Sequence, residues 1–228
     1  MNVIIVDFLQ QVLGPGSTII TFNYDPLLEY ALGYLSSIGI SWAPSSGYGL
    51  RFEDEFSAGE IKVIPVESES NVQLFKLHGS MNWLVLADEW PHSPRWLLRL
   101  TPQNLGGPGH LCQRETRTGV VLRPLFVPPK AAKDYEIVGL TDLWEKAGRA
   151  LEGATSLTVI GYRFPETDVA ARDLIRKADH LKESDRVTYI TLDDIEGEAT
   201  LREHFPNASV WPDGFAAYVK QRAQDRHN

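Results

Sequence analysis

The chain has 228 residues, with 22 Lys and Arg against 30 Asp and Glu, a net charge of −8, 43% apolar residues and 23% charged ones. This is ordinary globular composition, which excludes disorder, and the acidic balance argues against a protein that holds nucleic acid or anionic lipid by bulk positive charge. The single Cys112 excludes an internal disulfide and any site of paired cysteines, and no apolar run reaches the roughly 20 residues that span a bilayer.

In chain order, the run Val3 to Val6 has no basic region ahead of it, so it is not read as a leader. Ser17-Thr-Ile-Ile-Thr-Phe22 reads as a buried strand after the turn Gly14-Pro-Gly16. Leu27, Leu28, Ala31, Leu32, Leu35 and Ile38 then recur at helical spacing, so the strand feeds a helix through Asn23-Tyr-Asp-Pro26. Val72 to Leu77 is a second strand, ending at His78-Gly-Ser80, with Ile61 to Val66 pairing nearby. From about Leu84 to Lys133 the chain is rich in Pro, Gly, Trp and Arg without a sustained helical period, and reads as an inserted irregular subdomain. Leu140, Trp144, Ala147 and Leu151 share a helical face that leads into a strand over Ser156 to Ile160, stopped by Gly161. Thr167 or Asp168 caps a helix with the stripe Ala171, Leu174, Ile175 and Ala178, and Val187 to Leu192 is a further strand. The alternation of strands and helices predicts an α/β fold, a Rossmann-like parallel sheet with helices on both faces. A single domain covers 1–220, with 84–133 as its excursion and 221–228 as a polar tail.

In an open parallel sheet the ligand crevice lies beyond the carboxyl ends of the strands. Four polar clusters fall there: Asn23-Tyr24-Asp25, His78-Gly79-Ser80, Gly161-Tyr162-Arg163 and Asp193-Asp194. Three of them have two readings each. His78 either closes a strand or acts as a general acid or base. Asn23 and Asp25 either cap the following helix or orient a sugar hydroxyl or a water, and the two roles are compatible. Asp193 and Asp194 either form a solvated turn or take a ribose diol.

Other chemistries lack their patterns. There is no Gly-x-Ser-x-Gly elbow, no His-Glu-x-x-His, and Cys112 with His110 is one short pair in a loop, so no metal is expected. Gly106-Gly-Pro-Gly109 has no strand before it or helix after it and reads as a turn. Trp83, Trp90 and Trp96 read as packing residues, not a base-stacking platform.

Taken together, Ile19-Ile-Thr-Phe-Asn-Tyr-Asp-Pro-Leu-Leu-Glu29, Phe75-Lys-Leu-His-Gly-Ser-Met-Asn-Trp83, Phe126-Val-Pro-Pro-Lys130 and Val159-Ile-Gly-Tyr-Arg-Phe-Pro-Glu-Thr-Asp168 resemble the SIR2-like domain of prokaryotes. This sirtuin-related family binds NAD, and many of its members hydrolyse NAD in anti-phage defence. The resemblance runs from about Ser17 to Leu192. It implies that Asn23 positions the nicotinamide ribose and the attacking water, that Asp25 supports that loop, and that His78 is the catalytic histidine. It further implies an NAD-binding set of Thr21, Phe22, Gly79, Gly161, Tyr162, Arg163, Asp193 and Asp194. Cleavage of the bond to nicotinamide passes through an oxocarbenium-like state, for which positioning and a proton acceptor suffice without a metal.

The chain departs from the family at three points. Two Cys-x-x-Cys pairs, the zinc ribbon of deacylase sirtuins, cannot form with one cysteine, which places NAD-dependent deacylation third among the readings. Gly-Tyr-Arg stands where the family shows Gly-Tyr-Ser. The family's first strand and Gly-Ala-Gly phosphate loop are expected to be missing, since Gly14-Pro-Gly16 runs into a strand and not into a helix N-terminus. An upstream segment, a partner chain or self-association through the unpaired sheet front would complete the fold. The expectations are therefore a cytoplasmic NAD hydrolase without metal or membrane, or else an inactive SIR2-like remnant serving as a nucleotide-binding or protein-interaction module.

Overall fold

The computed structural model describes residues 3–35, 39–50, 52, 54–57, 60–63, 69–86, 96–98, 113–114, 121–127 and 140–225. Outside these lie Ile38, Trp90, Gly106 to Gly109, His110, Cys112, Lys130, the end of the Ile61 to Val66 stretch and most of the 84–133 excursion. The chain divides into two compact units, 1–128 with 133–144, and 129–132 with 145–228. Each is a mixed α/β assembly containing a short parallel sheet. Among the described residues no helix is long and apolar enough to cross a membrane.

The first unit opens with α1 (Val3–Val12), whose β-branched start favours a strand by propensity, yet which is helical and buries Val6, Phe8 and Leu9. Gly16, at φ +88°, turns the chain into β1 (Thr18–Thr21), where Thr-Ile-Ile-Thr suits extended backbone. Then come α2 (Leu27–Gly33), the one-turn α3 (Pro44–Gly47), β2 (Asp54–Ser57), β3 (Glu60–Val63) and β4 (Gln73–Lys76). β1 and β4 pair in parallel, with Thr21 opposite Lys76. Ala31, Leu32 and Leu35 of the α2 stripe are buried, as are Leu74, Phe75 and Leu77 around β4.

The stretch beyond β4 corrects the expectation of an irregular insert. β5 (Gly79–Leu86) starts directly after a turn at Leu77 and His78, and β6 (Trp96–Leu98), β7 (Gln113–Arg114) and β8 (Val121–Phe126) follow. With the β2–β3 hairpin they form a six-stranded sheet in the order β3-β2-β6-β5-β8-β7. All its pairs are antiparallel except β2 with β6. The strand period is hidden in the sequence because the β5–β8 register shifts between Ser80 and Leu84, which breaks two-residue alternation, and because Pro124 lies within β8. The Ile61 to Val66 stretch likewise pairs through β3 with β2, not with the strand before His78.

The second unit takes up α4 (Thr141–Glu152) from Glu145 onward, then β9 (Leu157–Ile160), α5 (Val169–Ile175) continuing as a 3-10 turn over Arg176–Leu181, β10 (Val187–Ile190), α6 (Ile195–His204), β11 (Ser209–Trp211) and α7 (Gly214–Asp225). Its three strands are all parallel in the order β11-β10-β9, joined by helical crossovers. β11 is too short, at three residues, to show a periodic signal. α7 replaces the frayed tail: Gln221 to Asp225 are polar because they face solvent on a helix of good helix formers, with Arg222 donating to the Tyr218 hydroxyl at 2.8 Å. Asp168 occupies the N-cap of α5 without a capping bond; its Oδ2 accepts instead from the Tyr162 hydroxyl at 3.1 Å.

Candidate functional site

The parallel pairing of β1 with β4 sets the Asn23 loop and the His78 turn side by side, because the ladder continues past both strands: the Leu77 N–H donates to the Thr21 carbonyl at 3.0 Å. Asp25 Oδ1 accepts from the Leu27 N–H at 3.0 Å, so its carboxylate closes a turn at the start of α2. Asn23 has no such role. Its side chain is exposed, and its N–H donates to Thr21 Oγ1 at 3.1 Å. His78 is 3% exposed, with ring centroids of Phe22 at 5.0 Å, Trp144 at 6.1 Å and Tyr24 at 6.4 Å. The turn is clamped through backbone: Trp144 Nε1 donates to the Leu77 carbonyl at 3.0 Å and the Val127 N–H to the His78 carbonyl at 2.8 Å. Gly79, at φ +83°, supplies the left-handed conformation that lets the chain leave the turn directly as β5.

Behind this loop lies a buried polar network. Lys76 Nζ donates to Glu29 Oε1 at 2.8 Å, to the Asp25 carbonyl at 2.5 Å and, at 3.5 Å, to the Tyr24 carbonyl. The Tyr48 hydroxyl donates to Glu29 Oε1 at 2.9 Å and accepts from Asn82 Nδ2 at 2.9 Å, while Ser80 Oγ lies 2.5 Å from Asn82 Oδ1 and 3.2 Å from the Tyr24 carbonyl. The proton order is forced. A carboxylate only accepts, so Tyr48 must donate to it, and the Asn82 amide must then turn its NH2 to Tyr48 and its oxygen to Ser80. Tyr48, Lys76 and Ser80 are fully buried, and Glu29 and Asn82 nearly so. Burial pushes the Tyr48 phenol well above its ordinary range, with the Glu29 charge adding to it. Burial lowers the Lys76 ammonium, and the Glu29 carboxylate opposes that shift.

In the second unit, Gly161 leaves β9 at φ +61° and its N–H donates to the Ile190 carbonyl at 2.9 Å. The Tyr189 hydroxyl lies 3.0 Å from the Tyr162 carbonyl and 3.1 Å from Asp194 Oδ2. Its phenol is pushed up to about 12, mainly by burial, with Asp194 adding to it. Asp194 is the N-cap of α6, where its Oδ1 accepts from the Gly197 N–H at 3.1 Å, and Arg163 Nε stands 3.9 Å from its Oδ2. Asp193, exposed and at φ +50°, is the carboxylate of the pair not engaged in capping.

The structure thus gathers Thr21, Phe22, Asn23, Asp25, His78 and Gly79 in the first unit, and Gly161, Tyr162, Arg163, Asp193 and Asp194 in the second. Among the described residues no three His, Cys, Asp or Glu side chains cluster as a metal site. No family model matches the chain, and no curated protein matches it. Ser80 belongs to the strand-end cluster already named; the residues that sequence reasoning missed are Glu29, Tyr48, Lys76, Asn82 and Tyr189. Two of them leave a signal: Lys76 is a charge inside an apolar strand, and Glu29 lies three residues before Leu32 on the buried stripe of α2.

Proposed function

We propose that the chain is a SIR2-like, Rossmann-type NAD-binding protein that hydrolyses the bond between nicotinamide and ribose. The observation that carries this reading is the parallel β1–β4 pair, whose adjoining carboxyl ends bring the Asn23 loop and the His78 turn side by side, where the crevice rule for parallel sheets looks for a ligand. Asn23 is exposed and free to orient a ribose hydroxyl or a water, and Asp25 steadies the loop by its turn onto Leu27. His78 supplies the proton acceptor, in a wall of Phe22, Tyr24 and Trp144 that suits a flat pyridine ring and limits water. The donor set fits NAD chemistry: a leaving nicotinamide needs no metal when the developing ribosyl cation is held in place and a base takes the proton of the incoming water. In the second unit, Asp193 has the chemistry for ribose hydroxyls and Arg163, at 78% side-chain exposure, that for phosphate.

A second reading, an inactive nucleotide-binding or protein-interaction module, draws support from one feature: at 3% exposure His78 has the burial of a packing residue. One experiment separates the two. The purified chain is incubated with NAD, and nicotinamide release is followed by chromatography for the wild type, His78→Ala and Asn23→Ala. On the hydrolase reading, His78→Ala loses about 100- to 10,000-fold in rate. Release by His78→Ala at the wild-type rate removes the histidine from the mechanism, and absence of both release and NAD binding in the wild type ends the NAD reading.

A further inference from the structure

We infer that Lys76 is the positioning residue for the Asn23–Asp25 loop: its buried ammonium, tied to Glu29, grips the loop by its carbonyl oxygens and so sets where Asn23 stands relative to His78. The inference rests on the proposed hydrolase reading only for its kinetic part.

An ammonium has three protons, and Lys76 points all of them at Glu29 Oε1, the Asp25 carbonyl and the Tyr24 carbonyl. Two of the three acceptors are thus backbone of the very loop that carries Asn23 and Asp25. That loop lies between the end of β1 and the start of α2, outside both elements, so its carbonyls take their donors from elsewhere in the fold. The Tyr24 carbonyl takes a further donor from the β5 side, the Met81 N–H at 2.9 Å, with Ser80 Oγ 3.2 Å away, and the Tyr24 hydroxyl reaches the Val127 carbonyl at 2.8 Å. Lys76 stands in β4 two residues before His78. β4 therefore carries the clamp on the loop opposite and runs directly into the turn that holds the histidine, so the Asn23 loop is tied to the strand from which the His78 turn leaves. Glu29 supplies the countercharge from α2, four residues beyond Asp25, and Tyr48 and Asn82 fix the carboxylate's orientation. A charge this deep is costly in a strand where a Leu or Met would serve packing, so burial alone does not account for a lysine at this position.

The test uses the full chain and a double variant, Lys76→Met with Glu29→Leu, which removes both charges while conserving volume and leaves no orphan ion. Its fold is checked by thermal melting, and hydrogen–deuterium exchange is then read on peptides spanning residues 19–29 and on those covering β4. The inference requires amides of residues 23–27 to exchange about tenfold faster or more while β4 stays protected. It also requires nicotinamide release to fall in kcat by roughly 100-fold with KM for NAD nearly unchanged, because misplacement of a reacting group acts on the chemical step. Loop exchange at the wild-type rate in a folded double variant overturns the inference. Loss confined to KM assigns Lys76 to binding and also overturns it. If the wild type releases no nicotinamide, the hydrolase reading fails while the exchange result still decides the clamp. If the double variant does not fold, the wild type labelled with 15N at lysine Nζ decides it. A slowly exchanging Lys76 ammonium with dipolar contacts to the Tyr24 and Asp25 α-protons upholds the clamp, and an ammonium exchanging like that of a surface lysine overturns it.

Discussion

Replacing Tyr48 by Phe removes one oxygen from the centre of the buried network and keeps every ring contact. The hydroxyl donates to a carboxylate at 2.9 Å, a charge-assisted bond worth about 1.5–3 kcal/mol, and its loss also strands the Asn82 NH2, at about 1–3 kcal/mol for an unpaired buried donor. Two terms offset this. The buried phenol no longer has to be desolvated, which returns about 1–3 kcal/mol, and Glu29 Oε1 keeps Lys76 at 2.8 Å. The balance is a loss of about 2–3 kcal/mol, or roughly 5–10 °C in the melting of the first unit. Trp83 sits edge-on to the Tyr48 ring at 5.1 Å, so its fluorescence in a urea titration reports the right region. Tyr34→Phe makes the same chemical change at a position 56% exposed and is expected to shift stability by less than about 0.5 kcal/mol. A Tyr48→Phe shift as small as that of the control would show that the carboxylate and amide do not depend on this hydroxyl, and the assigned proton order would fall with it.

In the second unit, the Tyr189 phenol is pushed up to about 12, above its ordinary 10.0. The stability from its protonated form is therefore complete below about pH 10 and disappears as pH rises through 12. A spectrophotometric titration at 295 nm should show one tyrosine absent on replacement by Phe from the late-titrating group, and alkaline loss of stability should be shallower in Tyr189→Phe. Gly49 and Gly161 both sit at positive φ, +71° and +61°, but an added methyl at Gly49 collides with the Phe75 ring and meets Leu143 at 3.2 Å, whereas at Gly161 it enters open space. Gly161→Ala should cost about 1–2 kcal/mol of backbone strain, and Gly49→Ala a further 1–3 kcal/mol or so of overpacking. Equal losses in thermal melting would contradict this packing.

The strands and helices that flank the strand-end clusters were legible because each is a local pattern. Thr18–Thr21 is β-branched, the α2 stripe repeats at helical spacing, and Val187–Ile190 is a short apolar run between turn residues. The six-stranded sheet was not legible, since its longest strand crosses a register shift and its shortest has two residues, so no window holds a full period. α7 was misread for a different reason: polarity marks a solvated helix face and a frayed tail equally, and only the ordering of Phe215 to Val219 before it separates them. At the candidate site, Asn23, Asp25 and His78 were singled out because turn residues after a strand mark a crevice. The residues that hold them were not, because Lys76 meets Glu29 across 47 positions, Tyr48 meets Glu29 across 19 and Asn82 meets Tyr48 across 34.

Those separations bear on what the network is for. A loop that only had to start a helix would be served by the turn Asp25 makes onto Leu27, a contact two residues long. Instead four separate segments, α2, the end of α3, β4 and β5, converge on the carbonyls of Tyr24 and Asp25 through a buried ion pair and its partners. Buried ion pairs are poor sources of net stability, because desolvation consumes most of their attraction, and an apolar replacement of equal volume commonly does as well. What such a pair does provide is a single permitted geometry: the ammonium is satisfied in one place only, and the tyrosine and amide fix the carboxylate to match. Spending burial on geometry at a loop is reasonable where the position of one exposed side chain matters, and the exposed side chain on this loop is Asn23.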